Sequence, residues 1–185
     1  MPSGMTGRLD SENTLFIIID IQDTLLKKCQ EWERTAERSI VFTQFSHVVN
    51  MPLVMTEQYP KGLGRTNLQV LEAAGKDPIP KTTFNCFGNE EFVRKVEAHG
   101  PKTLVLAGIE AHVCLLQTAL DAIRRGYGVH VLEDACSSRA DWMAQNAYRQ
   151  MAHAGVVVTN TESAMFEMVG DSADPLFKRM LFLVK

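Results

Sequence analysis

The chain of 185 residues lacks the features that mark several functional classes. It has no apolar stretch of membrane length, which takes about 20 residues for a spanning helix. It has no excess of positive charge, with 19 Lys and Arg against 22 Asp and Glu and a net charge of −3. The basic residues are interleaved with acids, as in KKCQEWERTAER, which reads as a solvated helix face and not as a nucleic-acid footprint. Neither a nucleic acid nor a membrane is therefore an expected partner. The four cysteines, Cys29, Cys86, Cys114 and Cys136, form no CxxC, and no Cys/His metal spacing occurs. Dinucleotide and P-loop glycine patterns are absent. KGLGRTN (61–67) does not follow a strand and open a helix in the required way, and it reads as a mobile loop. No secretory signal, arginine-rich presequence, repeat or linker is visible. Reduced thiols in an intracellular setting are expected, cytoplasmic first and mitochondrial as the alternative. Length favours a single domain over 1–185, with 1–11 as a flexible lead-in.

What is present is an alternation. Short apolar runs occur at LFIII (15–19), PLVM (52–55), TLVLAGI (103–109), VHVL near 129–132 and VVVT (156–159), and a further strand is expected at or just before Lys81 in PIPKTTF. These runs are β-branched and not alternating, as in strands buried on both faces. Helical patterns fall between them, at roughly 30–49, 67–74, 89–100, 111–125 and 139–153, and from Thr161 and Asp174. Asn89 is a good N-cap, and Ser137 and Ser138 read as cap residues for the helix from Arg139. The alternation predicts an α/β fold: a doubly wound parallel sheet with helices on both faces.

Such sheets bind ligands at the carboxyl ends of their strands. Asp20 follows the first strand, Lys81 ends the short one, and Cys114 follows TLVLAGI at a helix start. Asp134 is expected on the same edge. Each has a bland reading. Asp20 serves equally as a turn or cap residue, Lys81 as solvated surface, and Cys114 as a small core residue. The chemical reading is a carboxylate base, a cation that offsets its desolvation, and a thiol whose pKa a helix N-terminus lowers. Cys86 and Cys136 are expected to pack.

In order and context, IIIDIQD, IPKTTF and GIEAHVCLLQTALDA resemble the isochorismatase-like cysteine hydrolases. TEQYPKGLG, GIEAHVC and VLEDACSSR are similar to the isochorismatase domain-containing subgroup, over about residues 12–182. The resemblance implies a three-layer α/β/α fold with a six-stranded parallel sheet, assembled as a homo-oligomer, dimer or tetramer. It implies that Cys114 attacks a carbonyl carbon, Asp20 takes the thiol proton, and Lys81 steadies both. It implies an oxyanion hole from the backbone N–H groups of Glu110 and Cys114, with a cis peptide at Ile109–Glu110. Tyr59, Phe84, Phe87 and His112 are candidate pocket walls. The metal cluster of nicotinamidases has no counterpart in TEQYPKGLGRT, where Glu57 is the single acid, so no metal or cofactor is expected. Isochorismatase proper lacks the cysteine, so Cys114 argues for acyl transfer to a small amide, carbamoyl compound or ester. Two alternatives stand beside this: a ribonuclease, a label some relatives carry, and a non-catalytic binding or assembly protein.

Overall fold

The computed structural model describes residues 9–184. Its centre is a six-stranded, all-parallel sheet built from β1 (Thr14–Ile19), β2 (Leu53–Gln58), β3 (Ile79–Lys81), β4 (Thr103–Ile109), β5 (Gly128–Ser137) and β6 (Val157–Thr159). The strand order is β3-β2-β1-β4-β5-β6. The chain builds outward from β1 in one direction, then crosses back to β4 and builds in the other. β1 and β4 therefore flank the switch point, with Ile19 opposite Gly108.

The helices are α1 (Asp23–Leu26), α2 (Trp32–Val48), α3 (Pro60–Leu63), α4 (Leu68–Ala74), α5 (Glu90–His99), α6 (Leu116–Arg124), α7 (Asp141–His153), α8 (Thr161–Val169) and α9 (Pro175–Val184). All six residues of β1 are buried, because both faces of the sheet are covered. Leu15, Ile17 and Ile19 meet Phe92, Ala119, Ala122 and Met151 from α5, α6 and α7. Phe16 and Ile18 meet Phe42, Phe45, Val70 and Met165 from α2, α4 and α8. Each large apolar side chain buried in this way contributes about 1.5–3 kcal/mol, which is why the strands read as continuous apolar runs.

Several local expectations change. Of the lead-in expected over 1–11, residues 1–8 lie outside the described residues. Leu9 is buried, and its N–H donates to Glu167 Oε1 at 2.9 Å. The 61–67 stretch is no open loop. It begins in α3, and Glu57 Oε1 then accepts from Thr66 N and Thr66 Oγ1 at 2.6 and 2.8 Å. Asn89 caps α5 as expected, accepting from Phe92 N at 3.0 Å. Ser137 and Ser138 do not cap α7, which starts at Asp141 after Ala140. Their hydroxyls go instead to Gln30 O and to His112 Nδ1.

β5 runs through Asp134 to Ser137, because its register against β4 jumps from Leu106↔Val131 to Gly108↔Cys136. The extra residues bulge out and carry Asp134 to α8, where Oδ1 accepts from Thr161 N and Oγ1 at 2.8 and 2.9 Å. Asp134 thus caps a helix and does not join the site.

His130 lies in the same strand, buried, with Nδ1 lacking a hydrogen-bond partner among the described residues. Burial lowers its pKa, and the charge of Glu167 opposes this only in part. The unfolded imidazole titrates near ~6.5, above the folded one. Its contribution is therefore present at neutral pH and lost as pH falls below the unfolded value. The urea midpoint is expected to drop more between pH 7.5 and pH 5 in the native protein than in a His130→Leu variant.

Candidate active site

Three side chains from three strand ends meet at the switch point. Asp20, one residue past β1, has a left-handed backbone with φ of 55°, a conformation that aspartate tolerates better than most residues. Its N–H donates to Thr56 O at 3.2 Å, and its side chain is fully buried. Lys81, the last residue of β3, donates from Nζ to Asp20 Oδ2 at 2.6 Å and to Gln58 Oε1 at 2.6 Å. It also donates to Thr83 O at 3.2 Å. Thr56 Oγ1 donates to Asp20 Oδ1 at 2.7 Å. A buried ion pair is costly unless its remaining lone pairs and protons are satisfied, and here Thr56, Gln58 and Thr83 do that.

Cys114 approaches from the other side. After β4 the chain passes through a cis peptide at Ile109–Glu110 and a π-helical turn, Ala111–Leu115, before α6 begins. The Cys114 thiol is 95% buried and lies within electrostatic reach of Asp20 and Lys81. Burial pushes its pKa well up, and the Asp20 charge adds to this; Lys81 opposes them without prevailing. Burial and the Asp20 charge thus outweigh the lowering expected of a helix terminus. The thiol sits in the π turn and rests neutral. For Lys81, burial alone would lower the pKa, but the Asp20 charge reverses the shift and raises it. Lys81 is therefore held in its charged form.

A single backbone position makes this approach possible. Gly108 has φ of 133°, and a Cβ there would lie 2.1 Å from Ile19 O, one residue before Asp20. Gly108→Ala therefore adds backbone strain and a backbone clash. These sum to roughly 2–4 kcal/mol, expected as a lower urea midpoint and a lower kcat.

Several residues of the cluster were not singled out in the sequence. Gln22 clasps the next strand, with Oε1 accepting from Gln58 N at 2.7 Å and Nε2 donating to Gly64 O at 2.7 Å. Thr56 and Gln58 follow the apolar run of β2 at period two, at the carboxyl edge of the sheet. That placement was the available signal. Thr118 Oγ1 accepts from Cys86 N at 3.0 Å and donates to Cys114 O at 2.7 Å, tying the segment after Lys81 to the π turn. Cys86, fully buried, stands 3.9 Å from Thr56 Oγ1, and burial pushes its thiol up to about 11.

The four expected wall residues divide. Tyr59 and Phe84 are about half exposed and flank Lys81: Tyr59 N donates to Lys81 O at 2.7 Å, and Phe84 O faces Lys81 Nζ at 3.5 Å. His112 is turned toward the end of β5, with Nδ1 2.9 Å from Ser138 Oγ. Phe87 points away. Its ring packs on Phe92 and Tyr127, with the Arg125 guanidinium 4.6 Å above it. It is a core aromatic, because the short helical turn after Cys86 rotates it inward.

Glu57, the acid where nicotinamidases place metal ligands, is engaged by Thr66 and by Arg65 Nε at 3.3 Å. Among the described residues no three of His, Cys, Asp and Glu are grouped to hold a metal ion, and no helix is long and apolar enough to cross a membrane. A cavity of about 310 Å³ opens nearby between α2, β5 and α7, lined by Arg34, Asp134, Ser138 and Tyr148 among others. It touches none of Asp20, Lys81 and Cys114, so chemistry and not volume marks the candidate site.

Comparison with known proteins agrees with this frame. The isochorismatase domain family matches residues 14–163. Isochorismatase domain-containing protein 1 of Salmo salar is 33% identical over 179 residues, covering 97% of this chain and 63% of that protein. The chain thus spans less than two thirds of that relative's length. A MAR1 ribonuclease of Caenorhabditis elegans superposes with a TM-score of 0.90 at 32% identity, covering 96% of this chain and 92% of that one. The YcaC gene product of Escherichia coli, described as an octameric hydrolase of unknown specificity, superposes with a TM-score of 0.89 at 25% identity, covering 95% and 88%. The chain belongs to the isochorismatase family and has the fold of that family's hydrolases.

Proposed function

We propose that the protein is a metal-independent cysteine hydrolase of small amides, carbamoyl compounds or esters, acting through Asp20, Lys81 and Cys114. The observation that carries this is a buried thiol within electrostatic reach of a buried carboxylate that a lysine holds at 2.6 Å. A neutral thiol beside a fixed carboxylate is arranged for concerted proton transfer during attack. The Cys114 Sγ–carbon bond forms as the thiol proton passes to Asp20. Lys81 keeps its proton throughout, and its charge offsets that of the carboxylate. The C–N or C–O bond then breaks, and the leaving group takes the proton from Asp20. Water attacks the resulting thioester, giving its proton to Asp20, and Cys114 leaves and is reprotonated. The net reaction consumes one water and yields an acid and an amine or alcohol.

The carbonyl oxygen becomes negative in both steps. The backbone N–H groups of Glu110 and Cys114 are the proposed donors, and each such donor is typically worth about 2.7–4 kcal/mol. Tyr59 and Phe84 wall the mouth beside Lys81, with His112 on the far side. A thiol only 5% exposed favours a small acyl group.

The Caenorhabditis elegans neighbour's name raises a ribonuclease reading. A net charge of −3 and interleaved charges offer little to a phosphate backbone, so the hydrolase reading is preferred. RNA cleavage that vanished in a Cys114 or Asp20 variant would reverse that preference. The octameric Escherichia coli neighbour supports a homo-oligomer here too, and light scattering gives its size. The direct test of function is a panel of small amides, ureides and esters assayed with native protein and Cys114→Ala. Turnover of one class by the native protein alone is the expected result. Equal activity in both would sink the proposal.

A further inference from the structure

The Glu110 side chain has no part in the chemistry described above, and its contacts are specific. Glu110 Oε2 accepts from Arg139 N at 3.1 Å and from Arg139 Nε at 3.0 Å. The carboxylate is mostly buried, with a side-chain exposure of 15%. Arg139 is the middle residue of the link between β5 and α7, and two further contacts fix that link. Ser138 Oγ meets His112 Nδ1 at 2.9 Å, and Gln30 Nε2 donates to Arg139 O at 3.2 Å. The π turn is therefore held at its N-cap, Glu110, and at its second residue, His112, by consecutive residues of one link. On the turn itself, Glu110 O accepts from Val113 N at 2.9 Å and from Leu115 N at 3.4 Å, the residues on either side of Cys114.

We infer that Glu110, through its contact with Arg139, is a positioning residue that holds the backbone N–H groups of Glu110 and Cys114 in place for the developing oxyanion. This rests on the proposed cysteine-hydrolase reading. Among the described residues the hydrogen-bond partners of the carboxylate are Arg139 N and Nε and none of Asp20, Lys81 and Cys114, so its effect falls on the N–H geometry and not on thiol deprotonation. Oxyanion stabilisation depends on donors fixed in advance of reaction, and a brace on the peptide that carries one donor supplies that rigidity. A carboxylate suits the task, because a single oxygen receives both a backbone and a guanidinium N–H.

The test separates two reactions of the same thiol. Acylation by p-nitrophenyl acetate forms the Sγ–carbonyl carbon bond, expels p-nitrophenolate and passes through an oxyanion. Alkylation by iodoacetamide forms an Sγ–CH2 bond, expels iodide and passes through none. Both are followed on Cys114 by intact mass and peptide mapping, in native protein, Glu110→Ala, Glu110→Gln and Arg139→Ala. Thermal melts ensure that all variants are folded at the assay temperature. In Glu110→Ala, acylation is expected to slow roughly tenfold or more, part of the 10²–10³ that a lost donor costs, with alkylation unchanged. Glu110→Gln, whose amide oxygen still accepts from Arg139 N, is expected to recover most of the loss, and Arg139→Ala to fall between. Acylation and alkylation both at native rates in Glu110→Ala would overturn the inference. So would both slowing together, which would make Glu110 a support for the whole site. Native protein that is alkylated but never acylated at Cys114 would defeat the cysteine-hydrolase reading, and this inference with it.

Discussion

Cys114→Ala is expected to abolish turnover, by roughly 10⁴-fold or more, while the protein stays folded. The size follows from the role. A nucleophile that forms the covalent bond has no substitute, and what survives its loss is only binding and any oxyanion stabilisation. Cys86 is the nearest alternative thiol, but it is fully buried, and its raised pKa leaves it neutral. The stability change is expected to stay within about 1 kcal/mol, because the substitution removes one sulfur from a packed turn and leaves no charge unpaired. Circular dichroism melts and progress curves on the same preparation check both halves. A large fall in melting temperature would make the activity loss uninformative. For that case Cys114→Ser keeps the shape and a polar hydrogen beside Asp20, and it too is expected to be inactive, because a serine hydroxyl is a far weaker acid than a thiol.

The ion pair gives the second large effect, and it appears in stability as well as rate. Asp20→Asn leaves the Lys81 ammonium buried with only neutral acceptors: Gln58 Oε1 and two carbonyls. Lys81→Met leaves the Asp20 carboxylate buried with the Thr56 hydroxyl. Breaking a buried pair at one end costs about 3–5 kcal/mol, because the other charge stays behind. Each single variant is therefore expected to lower the urea midpoint strongly and to lose turnover. The double variant carries no buried charge at this place. It is expected to be less destabilised than the sum of the singles and to remain inactive. Strict additivity in the cycle would mean that the two groups do not interact, contrary to their 2.6 Å contact.

The fold was legible because both faces of the sheet are covered. β1 and β4 are apolar residue after residue, and the helices between the strands announce themselves by caps such as Asn89 and by breaks such as Gly100 followed by Pro101. The convergence of Asp20, Lys81 and Cys114 was legible for the same reason, since strand ends are easy to place and ligands gather at one edge. What escaped depends on contacts between distant segments. The extension of β5 and its bulge come from pairing with β4, not from the apolar pattern of VHVL, so Asp134 was expected beside the site and instead holds the start of α8. Ser137 and Ser138 have cap chemistry, but Gln30 and His112 compete for their hydroxyls. Phe87 was near Lys81 in sequence, yet a short helical turn rotates its ring into the core. The state of the thiol was misjudged because the sequence shows a helix start but not how deeply the sulfur is buried.

The account turns on whether Cys114 carries the acyl group. Intact mass measured within the first turnovers of an ester or amide substrate, or after acid quenching, tests this directly. The expected result is one added acyl mass on native protein, mapped to the Cys114 peptide and released by hydroxylamine, and absent from Cys114→Ala. Steady turnover with no such species on Cys114, or with full activity in Cys114→Ala, would contradict the account.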